Sequence, residues 1–156
     1  MAEPTAIAAP AAECRLVDDA WSLHHHHRIR AEVFVEEQGL FDPDDRDGHD
    51  DDPSTLKVLA LWDGQPAGTV RLYPLEPSSL LWQGDRLAVA HAYRRHSTGA
   101  PLVRFAVATA GRLGGQRMVA HIQPANVGFF RRLGWRTDGP REIYVGVEHQ
   151  PMVIDL

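Results

Sequence analysis

The run Arg86-Leu-Ala-Val-Ala-His-Ala-Tyr-Arg-Arg-His-Ser-Thr-Gly-Ala-Pro-Leu-Val, ending at Val103, holds the most chemistry in the chain: a strand passes through a polar turn directly into a helix. Such a junction aims unpaired backbone N–H groups and the positive end of the helix dipole at one point, which suits an anion. Pro101 is tolerated only in a first turn, so the helix cannot begin much before Thr98. The N–H groups of Thr98, Gly99 and Ala100 are then left for a ligand. Gly99 lets an anion approach the backbone, and Arg94 and Arg95 bring mobile charge to the rim. Taken in isolation, the same turn is a solvated arginine pair before an ordinary Ser97 or Thr98 cap.

Two other clusters invite a metal. In the run His24 to His27, four successive helical positions splay around the axis and only His24 and His27 approach one face, so no metal is expected. Asp47, Asp50, Asp51 and Asp52 lack the spacing and terminal Glu of a calcium loop. The acidic stretch from Gly39 to Ser54, with Asp at 42, 44, 45, 47, 50, 51 and 52, is expected to be a long solvated loop. An alternative use is to draw a cationic amine by its field. The single cysteine, Cys14, excludes an internal disulfide and a cysteine zinc site, and makes the cytoplasm the natural compartment.

These residues need a scaffold. Arg15 to Val17 reads as a first strand, followed by a helix from Ala20 to about Val33, capped by Asp18 or Asp19, with Trp21, Ile29 and Val33 inward. Leu56 to Trp62 and Ala67 to Leu75, joined by Asp63-Gly64, form an antiparallel hairpin. Leu80 to Val89 is the next strand, and Ala100 to Leu113 a helix with positions 102, 106, 110 and 113 on one face, stopped by Gly114-Gly115. Arg117 to Gln123 reads as a strand, Asn126 to Leu133 as a short helix, and Arg141 to Val147 with Met152 to Leu156 as a closing pair of strands. The order is that of an α/β protein, a mixed sheet with helical crossovers.

A chain of 156 residues supports one sizeable core, expected over residues 14–156 after a flexible Ala/Pro-rich tail at 1–13. No apolar run is long enough for a membrane span, and the net charge of −5 argues against nucleic acid as a partner. Residues 1–70 hold 5 Lys+Arg against 15 Asp+Glu, and residues 71–156 hold 11 against 6. That division suggests two surfaces for ligands of opposite charge.

The turn before Pro101 resembles the diphosphate-binding motif of the GNAT superfamily of N-acetyltransferases, Arg/Gln-x-x-Gly-x-Gly/Ala, with Arg94, Ser97 and Gly99 in its defined places and Ser97 where Gly is usual. Gln123 to Trp135 is similar to that family's last helix, Asn-x-x-Ala-x-x-Phe-Tyr-x-x-Leu-Gly-Phe: Gln123 stands at the Asn, Asn126 at the Ala, Phe129 at the Phe and Phe130 at the Tyr. Upstream, Val33-Phe-Val-Glu-Glu-Gln38 and the ending Glu148-His-Gln-Pro-Met152 resemble a subgroup of these enzymes. Gly84-Asp-Arg-Leu-Ala-Val89 with the C-terminal run is similar to an uncharacterised acetyltransferase group of bacterial nitrilase gene clusters.

The resemblance implies a mixed, mostly antiparallel sheet of six to seven strands flanked by helices, with acetyl-CoA as acyl donor and a small-molecule amine as acceptor. It implies no metal, nucleic acid or membrane, and allows a homodimer. Leu87, Ala88 and Val89 would pair with the pantetheine, and the Val89 N–H would face the thioester oxygen. Arg94, Arg95, Ser97, Thr98, Gly99 and Ala100 would hold the diphosphate, with Gln123, Asn126 and Phe130 alongside. Phe130 cannot protonate the departing thiolate as the usual Tyr would. Glu37, at a helix end where burial could raise its pKa, and His149 are the candidate bases. Two alternatives stand beside this reading. One is a coenzyme A-binding regulatory domain without catalysis; the other takes a longer acyl donor, as acyl-homoserine-lactone synthases do, with Trp82, Phe130 and Trp135 lining a wider channel instead of packing a core.

Overall fold

The computed structural model describes residues 12–75 and 80–156. Expectations for residues 1–11 lie outside these, but Ala12 and Glu13 are strand residues, not tail: they open β1 (Ala12–Leu16), paired antiparallel with β2 (Leu56–Trp62). β2 turns into β3 (Gln65–Pro74) through Asp63 and Gly64 at φ +48° and +77°, the left-handed pair of a two-residue hairpin loop. β4 (Leu81–Val89) follows antiparallel, then β5 (Arg117–Ile122) parallel to β4. β8 (Val147–Asp155) lies beyond β5 and also pairs with the short β6 (Arg136–Thr137) and β7 (Glu142–Tyr144). The strand order is β1-β2-β3-β4-β5-β8-β6.

One core lies beneath α2 (Gly99–Arg112) and α3 (Val127–Arg132), built on Val58, Val70, Leu72, Trp82, Leu102, Met118 and Met152. A second lies beneath α1 (Ala20–Arg30) on the opposite face, with Ile29, Val33, Phe34, Leu59 and Ala88. Trp82 belongs to the first core, as its type predicts. Leu113, expected inside, lies beyond the end of α2 and is exposed.

α1 begins at Asp19, whose carboxylate accepts from Ser22 N at 2.7 Å while Ser22 returns its hydroxyl to the cap. Its inward stripe differs from the one predicted. Trp21 is exposed, and Ser22, His26, Ile29 and Arg30 face the sheet. His26 Nδ1 is 3.0 Å from the Val58 carbonyl and its Nε2 is 3.2 Å from Arg30 Nη1, so a neutral ring donates to the first and accepts from the second. Burial, with the Arg30 charge adding, pushes this imidazole down to about 3. The helical path also runs past Val33, as a π-helical turn over Ala31–Glu37.

The acidic stretch is solvated only in part: Asp42, Asp44, Asp51 and Asp52 are exposed as expected, but Asp45 and Asp50 turn inward. Arg30 Nε meets Asp45 Oδ2 at 2.7 Å and its Nη1 meets Asp50 Oδ1 at 2.7 Å. Arg71 binds Asp85 through both Nε and Nη2 at 2.7 Å, and reaches Asp47 at 2.7 Å and Asp50 at 3.1 Å. Arg86 closes the network on Asp45 at 3.0 Å. Arg30 and Arg71 are fully buried, so they require these partners. Arg71–Asp47, Arg86–Asp45 and Arg94–Glu37 pair the acidic first part of the chain with the basic second part across the fold. Asp45, Asp47 and Asp50 are paired with these arginines, so Asp42, Asp44, Asp51 and Asp52 are the exposed carboxylates of the stretch outside the network.

Candidate active site

β4 and β5 share a ladder only at Leu81–Gln83 with Arg117–Val119. Beyond Gln83 the two parallel strands part, and a cleft opens through the sheet. The register of β3 and β4 slips between Thr69 and Arg71, so that Arg86 and Leu87 oppose Val70 alone. Arg86 takes φ +53° at this bulge; its carbonyl accepts from Thr69 Oγ1 at 2.9 Å, and its guanidinium lies 4.4 Å from the Phe41 ring centroid. The Asp network thus fixes one wall of the cleft.

Past the bulge, Ala90 N donates to Ala67 O at 2.8 Å. Strand alternation then turns the N–H and C=O of Val89 away from β3, toward the side that β5 has left. Consistently, the Val89 carbonyl accepts from Arg94 Nε at 3.3 Å.

Downstream, His91–His96 forms a 3-10 turn, Ser97 adopts φ +53° and ψ +43°, and α2 starts after Thr98 without a side-chain cap. The first-turn N–H groups of Gly99 and Ala100 have no acceptor within the helix. Thr98 Oγ1 is buried and has no partner among the described residues. These groups fit an anionic ligand. The Ser97 conformation also gives the motif's usual Gly a physical reason, since a left-handed non-glycine residue carries roughly 1–2 kcal/mol of strain. Ser97→Gly is expected to raise unfolding stability by about 0.5–1 kcal/mol, the strain relieved less the added unfolded-state entropy, measurable by urea denaturation.

A cavity of about 140 Å³ occupies the cleft. Of the residues chosen from sequence, Leu87, Gln123, Asn126, Phe130 and His149 line it. Ala88, Val89, Arg94, Arg95, Ser97, Thr98, Gly99 and Ala100 do not line it; they lie along β4 and the turn into α2. Phe130 is buried, edge-on to Trp135, which also lines the cavity. Gln123 Nε2 donates to Gln38 Oε1 at 3.0 Å.

Glu37 departs from its expected environment. It is exposed outside the cavity, and both its carboxylate oxygens face the Arg94 guanidinium, with Oε1 at 2.5 Å from Nη2. The hydrogen bonds from Arg94 hold this carboxyl below the usual carboxylate range, opposite to the rise a general base needs. His149 lies within β8 rather than in a turn between strands; the turn is Val145-Gly146, at φ +53° and +73°. His149 Nδ1 is 2.9 Å from the Val147 carbonyl, which makes Nδ1 the N–H donor and leaves the Nε2 lone pair in a neutral ring.

Sequence reasoning missed the neighbours of His149. Strand register sets Glu142 opposite His149, Tyr144 opposite Val147 and His121 opposite Pro151, so all four chemical side chains share one face. Tyr144 stacks on His121 with centroids 4.2 Å apart and meets His149 edge-on at 5.4 Å. His121, Tyr144 and His149 line the cavity, and Glu142 Oε1 stands 2.8 Å from His121 Nδ1.

Among the described residues no cluster of His, Cys, Asp or Glu is arranged to hold a metal ion, and no helix is long and apolar enough to cross a membrane. The family model for the acetyltransferase (GNAT) family matches residues 17–135. A Bacillus subtilis (strain 168) protein named as an acetyltransferase is 29% identical over 128 residues, 81% of this chain and 85% of its own length. A Lactobacillus plantarum crystal structure, described as an N-acetyltransferase, superposes with TM-score 0.81 at 22% identity over 94% of this chain and 99% of that one. A coenzyme A-dependent acyl-homoserine lactone synthase, BjaI, holding isopentyl-CoA, superposes with TM-score 0.74 at 20% identity over 94% and 83%. With the parted strands, the uncapped helix start and a family match over most of its length, the chain belongs to the GNAT family and is an acyltransferase.

Proposed function

We propose that the protein transfers the acetyl group of acetyl-CoA to the amine of a small molecule, by direct attack in a ternary complex. The observation that carries this reading is the parting of β4 and β5 beyond Gln83, directly beside the uncapped start of α2. The N–H groups of Gly99 and Ala100 receive the diphosphate, with Arg94, Arg95, Ser97 and Thr98 around it. Arg94 exchanges Glu37 for the diphosphate, which makes Glu37 a holder of Arg94 in the free enzyme in place of the base. Leu87, Ala88 and Val89 pair with the pantetheine along the exposed edge of β4, flanked by Gln123, Asn126 and Phe130. The Val89 N–H donates to the thioester oxygen as charge develops there.

The amine comes from the other face of the sheet, between the π-helical turn and the β7–β8 hairpin. His149 Nε2 takes the ammonium proton, the freed lone pair attacks the carbonyl carbon, the carbon–sulfur bond breaks, and the second proton of the attacking nitrogen passes to the departed thiolate through solvent. A thiol of ordinary pKa, about 8.5, lets the thiolate leave without Phe130 having to protonate it. Incubating the enzyme with acetyl-CoA and a panel of small amines, with thiol release and product mass followed together, tests the reading. Stoichiometric thiol and N-acetylated amine are expected. Tight coenzyme A binding with no turnover on any amine would identify a regulatory domain instead.

A further inference from the structure

The acceptor side of the cleft is walled by rings from two directions. On the helix side, Gly39 at φ +63° turns the chain back after the π-helical turn, and Leu40 N and Phe41 N donate to the Phe34 carbonyl at 2.9 and 3.4 Å. Phe34 and Phe41 are thereby held edge-to-face with centroids 6.4 Å apart, and both rings line the cavity. On the hairpin side the lining is His121, Tyr144 and His149, with Val145 at the turn. We infer that the acceptor is a primary amine carried on an aromatic body and lacking a carboxylate, an arylalkylamine. The inference rests on the acetyl-transfer reading above and adds to it the class of amine.

Ring chemistry selects the body. Aromatic groups pack edge-to-face or offset against one another, and an ammonium is drawn to a ring face. An aryl group entering between the π-helical turn and the hairpin meets rings on both sides. Tyr144 touches His149 edge-on at 5.4 Å, so a ring packed on Tyr144 brings its amine toward the imidazole that takes the proton. A saturated amine buries less area there and gains no ring contact. Charge excludes the carboxylate. Asp85 and Arg86 are the carboxylate and guanidinium of the lining. Asp85 accepts from Arg71 Nε and Nη2, both at 2.7 Å, and Arg86 Nε meets Asp45 at 3.0 Å. His121 already faces Glu142 at 2.8 Å, and Arg94 is committed to Glu37 or to the diphosphate. A carboxylate on the acceptor would enter an aromatic cleft with no cation free to meet it among the described lining residues, at a large cost.

Initial rates of the full chain at saturating acetyl-CoA with 2-phenylethylamine, butylamine, spermidine, phenylalanine and phenylalaninamide test this. The kcat/KM for 2-phenylethylamine should exceed those for butylamine and spermidine by about tenfold or more. Phenylalanine should fall about tenfold or more below its amide, which has the same ring and amine but no negative charge. Tyr144→Leu keeps an apolar side chain and removes the ring, and should lower the kcat/KM ratio of 2-phenylethylamine to butylamine by about fivefold. A variant that slows both amines alike has lost only a support of His149 and counts against the acceptor class. Should that variant fail to fold, the amine panel on the unaltered protein decides alone. Butylamine or spermidine used as well as 2-phenylethylamine, or phenylalanine used as well as its amide, overturns the acceptor class while acetyl transfer stands. Coenzyme A binding with no amine acetylated overturns both.

Discussion

Replacing His149 by Asn is expected to lower turnover at saturating acetyl-CoA by about 10²–10⁴-fold, the usual contribution of a positioned general base, with little change in coenzyme A affinity. The Val147 carbonyl occupies the Nδ1 side of the ring, so only Nε2 can receive a proton. Asn can reproduce the hydrogen bond to that carbonyl but offers no imidazole base. The variant therefore separates a catalytic role from a structural one: a structural histidine would be rescued by Asn, and a base would not. The acid limb of the kcat/KM profile should also disappear. His121→Asn is the necessary comparison, because His121 lines the same cavity with Glu142 beside its Nδ1. An active His149→Asn beside an inactive His121→Asn would move the base to His121.

Asp50→Ala should cost about 3–5 kcal/mol of unfolding stability, the penalty for leaving buried charges short of a partner. Asp50 serves two buried arginines at once, Arg30 at 2.7 Å and Arg71 at 3.1 Å. Asp51→Ala, one residue away and exposed, should stay within about 0.5 kcal/mol. Equal effects of the two would mean that Asp50 is solvated like Asp51 and does not hold the buried arginines. The same network gives the protein a characteristic acid response. Burial raises the carboxyls of Asp47 and Asp50, but the arginine hydrogen bonds and charges outweigh it and leave both below the usual range. Their stabilisation is complete above roughly pH 5 and is lost as pH falls through 4 and below. His26 acts earlier. Its folded-state value of about 3 lies below that of the unfolded chain, so stability falls by up to about 1.4 kcal/mol per pH unit once pH drops below about 6.5. Denaturant midpoints from pH 8 to 4 would show this onset above the carboxylate range.

Much of the scaffold was legible because it depends on neighbours in sequence. Asp63-Gly64 dictates its own hairpin, Asp19 its own cap, and Pro101 the start of α2. The strand-to-helix turn before α2 was legible for the same reason. What escaped depended on partners remote in sequence. The inward stripe predicted for α1 left out Arg30 and His26, whose burial only the distant Asp45, Asp50 and Val58 make tolerable. Trp21 took the inner place in the reading because an aromatic ring outranks a serine in apolar periodicity. Glu37 sits where a helix meets a loop, as expected, but Arg94, 57 residues away, determines its ionisation. The grouping of His121, Tyr144 and His149 requires the register of β5, β8 and β7, which no local pattern encodes.

That coenzyme A enters the split between β4 and β5 and presents its thiol to His149 is tested most directly by a crystal structure of the complex. The diphosphate should lie on the N–H groups of Gly99 and Ala100, with Arg94 turned from Glu37 onto it. The pantetheine should follow Leu87 to Val89, and the sulfur should lie in the cleft on the path to His149 Nε2. Coenzyme A bound away from the start of α2, with Arg94 and Glu37 still paired and the split empty, would contradict the proposed site and the mechanism built on it.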